Sequence, residues 1–281
     1  MNFQHEADIT VPSLELKNPM GLIQSTLQRA LELASFGLQS ASLAKIESLE
    51  IPQLRTQLHI VQNPAIDIET LRNEFQSWVI SNAIRDCIEA IGPSLEWARK
   101  ICFLWTREGA VMPREDGSLH LEATIIGNDW NRNIVRYSKK FDRLPLPGKL
   151  HHLEEKYRLS PLPLSDEILS LNLARNCLSH RGGIVGQEDL RDRAEKGLLV
   201  KWKRLELTAS GQKGERVLEL PGRVEAGETI SLHFASSARM VPLGERIRFL
   251  PQELIDIAFT FLLFAFQIDK SIHDLQEARR P

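Results

Sequence analysis

"LARNCLSHRGGIVG", Leu173 to Gly186, is the stretch on which the reading of this chain turns. Upstream of it the apolar residues recur at helical spacing, and Ser165-Asp166-Glu167 opens that helix. Within it the helix runs into Arg175, Asn176, His180 and Arg181, followed by Gly182-Gly183. Basic residues suit the negative end of a helix dipole, and glycine accepts the left-handed turn that closes it. Beyond Gly186 the texture changes. "LLVKWKRLELTAS", "RVLEL", "ETISLHFAS" and "RMVPLGERIRF" are β-like runs separated by Gly and Pro. The stretch therefore marks the border between a helical region and an antiparallel β element.

Working outward, Met20 to Glu50 reads as a long helix behind Pro19. A second spans Asp67 to Ile91, with Asp67 as N-cap and Leu71, Phe75, Trp78, Val79, Ala83, Cys87, Ile88 and Ile91 on its apolar face. Gly92-Pro93 interrupts it, and a third helix runs from about Ser94 to Thr106. "REGAVMPREDGS" reads as a loop, "HLEATIIGNDWNRNIVRYSKKF" as a helix, and Gly148 to Tyr157 as a short helix. The final helix holds "ELIDIAFTFLLFAFQIDK", whose apolar core from Ile257 to Phe266 is too short to span a bilayer. The expected fold is mainly α, a helical bundle with a small antiparallel β insertion. Residues 1–60 form an N-terminal helical region, and 61–281 the main helical domain with its β-rich insertion at 197–249.

The bulk numbers narrow the function. A net charge of −2 excludes a polycation, so any nucleic-acid contact is local. From Arg132 to Arg158 eight cationic side chains face three acidic ones, a net of +5 that includes Arg136, Lys139 and Lys140 and that suits a phosphate backbone. The same pattern also describes a solvated helix face. Cys87, Cys102 and Cys177 are widely spaced, which fits neither a disulfide framework nor a zinc knuckle and points to a reducing cytoplasm. No signal peptide, nucleotide-binding loop or zinc-peptidase motif is present in the sequence, and no metal or cofactor is expected. His151-His152 reads as a surface pair. Trp202, between two lysines, either packs on a sheet face or stacks on a base.

Arg175-Asn176-Cys177-Leu178-Ser179-His180, followed by Arg181-Gly182-Gly183, resembles the signature of the HEPN superfamily: an arginine, a polar residue after it, and a histidine after four to six intervening positions. The loose pattern recurs as Arg114…His120 in "REDGSLH", but there Glu115 follows the arginine and the segment reads as a loop. The resemblance covers Ser165 to Gly186. It implies a HEPN-like helical bundle and a metal-independent endoribonuclease, working as a homodimer in which both motifs face one cleft. It also implies a toxin or phage-defence setting, with an antitoxin or regulatory protein as a further partner; the short apolar core of the last helix leads us to expect no membrane association.

The chemistry suits such a reaction. Histidine transfers protons near neutral pH, and arginine presents a fork that matches phosphate oxygens. His180 is thus the candidate for proton transfer in 2′-hydroxyl attack on RNA, Arg175 for the scissile phosphate, and Asn176 for orientation. Arg181, Lys139, Lys140 and Arg136 are candidate RNA contacts. On a regular helix, positions five apart differ by about 140° in direction and about 7.5 Å in height. Arg175 and His180 therefore converge only if the last turn unwinds, or across a two-fold axis. Two alternatives stay open. One is a catalytically silent HEPN-like module that binds RNA or protein. The other is an adaptor unrelated to nucleic acid, built on the first and last helices.

Overall fold

A computed structural model describes residues 19–43, 67–105, 111–113, 119–121, 139–159, 162–192, 196–211, 214–218 and 223–278. Helix α1 spans Pro19–Leu43, α2 Ile68–Glu89, α3 Ile91–Trp105, α4 Leu146–Tyr157, α5 Ser165–His180 and α6 Pro251–Glu277. Strands β1 (Val111–Pro113) and β2 (Leu119–Leu121) form a short antiparallel pair. Strands β3 (Gly197–Gly211), β4 (Gly214–Val217) and β5 (Thr229–Pro242) form an antiparallel sheet in the order β4-β3-β5. The chain divides into two compact units, one of residues 1–22, 92–162 and 265–281, the other of 23–91 and 163–264.

The expectation of a mainly α bundle is overturned: the fold is mixed α/β. β3 and β5 pair from Gly197↔Pro242 to Ser210↔Thr229, and α5 packs on β3, so the sheet is part of the second unit's frame rather than an appendage. The local expectations fare unevenly. Asp67 caps α2, its carboxylate accepting from Thr70 N at 2.8 Å and from Thr70 Oγ1 at 2.8 Å. Gly92-Pro93 falls in the first turn of α3, where a missing N–H costs nothing. Val111–Pro113 and Leu119–Leu121 are strands where a loop and a helix start were expected. Residues 44–50 of the expected first helix, and most of "HLEATIIGNDWNRNIVRYSKKF", lie outside the described residues.

In the first unit the buried side chains include Leu95, Ala98, Ile101 and Cys102 of α3, Leu150, Leu153 and Tyr157 of α4, and Ile268 and Ile272 of α6. Buried Arg99 sets its guanidinium 5.5 Å from the centre of the Phe141 ring, which also meets His152 edge-on at 5.4 Å. Burial holds the His152 imidazole below its usual pKa.

In the second unit, α2 contributes Val79, Ile80, Ala83, Ile84, Cys87 and Ile88 to the core, α5 contributes Ile168, Leu171, Ala174 and Cys177, and α6 contributes Ile257, Phe261 and Phe264. Burial pushes the Cys87 thiol up to about 12, as expected of a cysteine acting as a small hydrophobe. Trp202 is buried on the sheet, so it packs a face and is closed to base stacking.

The outer edge of β3 is finished by helix hydroxyls. β4 covers only Thr208 to Gly211. Further along, Ser170 Oγ of α5 accepts from Lys201 N at 2.9 Å and lies 3.3 Å from Lys201 O, while Thr260 Oγ1 of α6 accepts from Lys203 N at 2.8 Å and lies 3.4 Å from Lys203 O. Both hydroxyls are fully buried. The first-turn acids of α5 reach the same lysines: Asp166 pairs with Lys201 and Arg191, and Glu167 with Lys203 at 3.3 Å. Hydrogen bonds from Lys201 and then Arg191 hold the Asp166 carboxyl below the usual carboxylate range.

Removing either hydroxyl strands a backbone N–H of β3. Ser170→Ala and Thr260→Ala are each expected to cost about 1–3 kcal/mol, read as a lower urea midpoint at unchanged slope. Asp256, buried on α6, behaves in the opposite sense to Asp166. Its Oδ1 has no partner among the described residues, and burial raises its pKa. Its contribution to stability is therefore full below the unfolded value of about 3.9 and declines as pH rises through the folded pKa. Asp256→Asn should melt above the wild type at neutral pH, with the gap closing toward pH 4; a gap independent of pH would refute this.

Candidate active site at the end of helix α5

Helix α5 is regular from Ser165 to His180. It ends where Arg181 N and Gly183 N both donate to Cys177 O, at 3.0 and 3.1 Å. Gly182 and Gly183 take φ of 59° and 83°, the left-handed region that favours glycine. At Gly183 a Cβ would also meet Leu178 Cδ2 at 3.3 Å and Ile247 O at 3.6 Å, because the chain there is stitched to the segment before α6. Ile247 N donates to Gly183 O at 2.8 Å, and Val185 N to Glu245 O at 2.9 Å. The unwinding begins after His180, so the last turn does not bring Arg175 and His180 together within one chain.

The three motif side chains have different surroundings. Arg175 is half-buried; its Nη2 donates to Glu89 Oε1 of α2 at 2.8 Å and its Nη1 to Asn176 Oδ1 at 3.1 Å. His180 is exposed, and its imidazole has no hydrogen-bond partner among the described residues. Ser179 lies one turn after Arg175 on the same side of α5, and its Oγ is buried with no partner among the described residues. A buried polar atom without a partner beside a candidate site is itself a candidate.

Arg181 is already engaged. Its Nε donates to Asp189 Oδ2 at 2.8 Å, and its Nη2 reaches Oδ1. Asp189 is fully buried and also accepts from Gly186 N at 2.9 Å. The expected RNA contact is thus a structural ion pair that folds the loop after α5. Lys139 and Lys140 are exposed but belong to the other compact unit, and Arg136 lies outside the described residues. His151 sits 3.0 Å from Glu155. Among the described residues no group of three or more His, Cys, Asp or Glu side chains could hold a metal ion, and no helix is long and apolar enough to cross a membrane.

Sequence reading missed two features. Glu89, 86 residues from Arg175, leaves no local signal of that pairing. Phe75 and Trp78, whose spacing places them on the apolar face of α2, are both exposed, Trp78 by 62%, and they stack with centroids 6.0 Å apart. Helical spacing sets Phe75, Trp78, Asn82 and Glu89 on one side of α2, with Trp78 about 16 Å along the helix from the carboxylate that holds Arg175. No family model matches the chain, and the searches of curated proteins and of solved structures return no significant match.

Arg181→Ala leaves the Asp189 carboxylate buried and unpaired, and should cost on the order of 3 kcal/mol. The double change Arg181→Met with Asp189→Leu should recover most of that loss in urea unfolding. A double variant as unstable as the single one would refute a mainly electrostatic role.

Proposed function

We propose that this chain is a metal-independent endoribonuclease of HEPN type. The observation that carries the reading is that one rigid helix bears both an exposed, unengaged imidazole at His180 and, five residues before it, a guanidinium at Arg175 that neighbouring side chains already orient. One Arg175 nitrogen is spent on Glu89 and one on Asn176, which fixes the plane of the guanidinium.

The offset between Arg175 and His180 favours a homodimer in which two α5 helices face each other across a two-fold axis. The exposed Phe75–Trp78 pair is apolar surface on α2 that a second copy would cover, although it lies about 16 Å along the helix from Glu89. In the reaction the 2′-oxygen bonds to phosphorus as the bond from phosphorus to the 5′-oxygen breaks. One His180 takes the 2′-hydroxyl proton, the other gives a proton to the departing 5′-oxygen, and Arg175 neutralises the phosphorane oxygens. The products are a 2′,3′-cyclic phosphate and a 5′-hydroxyl. A toxin or phage-defence role, held in check by an antitoxin or regulatory protein, is the setting that fits such an activity.

One observation favours a second reading, a silent RNA- or protein-binding module: Arg175 and Arg181 both carry carboxylate partners already. The experiment that decides is cleavage of cellular RNA in EDTA with product ends mapped. His180→Ala should slow cutting by about 10²–10⁴-fold, the usual worth of a positioned proton-transfer group, and wild-type products should end in 2′,3′-cyclic phosphate. RNA binding without cutting by the wild type would give the chain to the second reading. Equal cutting by both proteins would remove His180 from the chemistry.

A further inference from the structure

We propose that strand β5 pairs edge to edge, antiparallel, with β5 of a second copy, joining two sheets into one of six strands. This contact is separate from the α5 face and independent of any nuclease activity.

The two edges of this sheet are treated differently. The β3 edge is closed by β4, a strand of only four residues, and by the buried Ser170 and Thr260 hydroxyls. The β5 edge is a strand of 14 residues with no neighbour among the described residues. Which of its peptide groups point outward follows from the register. Lys201 and Lys203 turn their N–H and C=O toward the helix hydroxyls, away from β5. Their partners Ala238 and Ser236 therefore turn theirs away from β3. By the same alternation Ile230, Leu232, Phe234, Ser236, Ala238 and Met240 all present N–H and C=O at the open edge. Edge strands are ordinarily guarded by lysine, proline, a bulge or a cover. Between Thr229 and Val241 this strand has no proline, lysine or acidic residue, and its register with β3 is unbroken. Ile230 and Leu232 are each 53% exposed, and Phe234 and Met240 are exposed as well.

The occupant is a second copy because the strand complements itself. Antiparallel pairing about a two-fold axis at Ala235 sets Ile230 opposite Met240, Leu232 opposite Ala238 and Phe234 opposite Ser236 of the other copy. All six outward residues then pair, large against small or flexible. On the other face His233 meets Ser237 and Arg239 meets Ser231, so no like charges are opposed. Two-fold pairing is closed, which ends growth at this edge instead of extending it into a fibre.

The test is the mass of the full chain in solution across a dilution series. Ser236→Pro removes one outward N–H and leaves the bonds to β3 intact; Leu232→Lys keeps the N–H but sets a charge in the seam. Each should halve the number of copies per particle, whether the wild type is a dimer or a tetramer, while circular dichroism stays unchanged. Ala235→Cys should crosslink to its own mate under oxidation, since the two residues face each other across the two-fold axis as a closely spaced non-hydrogen-bonded pair; Ser231→Cys should not. A monomeric wild type, or variants of wild-type mass, would overturn the proposal. Cleavage measured on the same samples reports separately on the nuclease reading.

Discussion

Strand β3 runs along the middle of its sheet, but for much of its length only one of its edges has a strand beside it. Backbone groups on the other edge would be buried without partners, and a buried unpaired N–H or C=O costs about 1–3 kcal/mol. Two side-chain hydroxyls occupy the place of the missing strand, Ser170 from α5 and Thr260 from α6. Each accepts from the N–H of a β3 residue and donates its one proton to a carbonyl of its own helix, Ser170 Oγ to Glu167 O at 2.8 Å and Thr260 Oγ1 to Asp256 O at 2.9 Å. The arrangement fixes the height of both helices along β3 to within a hydrogen bond, and the Lys201–Asp166 and Lys203–Glu167 pairs repeat the same register in charge.

That fixed register decides what the far half of α5 can do. The N-terminal half is bound to the sheet. The C-terminal half is held through Arg175 to Glu89, through Cys177 O to the following turn, and through the Arg181–Asp189 pair to the loop. Between these anchors His180 is the motif side chain that no described residue engages. The bracing fixes where the His180 backbone sits, while its exposed imidazole remains free to rotate about its own bonds.

Helix positions were largely legible from the sequence, because their signals are local. Asp67 three residues before Thr70, and Gly182-Gly183 after a basic turn, name a start and an end without help from the rest of the chain. The weight of the sheet was not legible. A run such as "LLVKWKRLELTAS" announces a strand, but whether the strand is an appendage or a frame depends on Ser170 and Thr260, which look like any polar residue in a helix. Phe75 and Trp78 fail for a related reason. Their spacing fits an apolar face, and only the fold reveals that α2 buries Val79 and Ile80 instead. The site itself divides in the same way: Arg175, Asn176 and His180 form a motif within six residues, whereas Glu89 and Asp189 act across gaps that no periodicity records.

The two arginines of the motif region look alike in sequence and differ in energy. Arg175 and Glu89 are both partly exposed, and such a pair is worth about 0–1 kcal/mol, so a phosphate group can take the place of Glu89 at little cost. The Arg181–Asp189 pair is anchored on a carboxylate that no water reaches; pulling Arg181 away would strand that charge, a loss of several kcal/mol. A charge-assisted contact to RNA returns roughly 1.5–3 kcal/mol, which covers the first exchange and not the second. Of the two guanidiniums only Arg175 can exchange its carboxylate for another anion at little cost. The nuclease reading proposed above therefore rests on Arg175 and His180, while Arg181 serves the loop after α5.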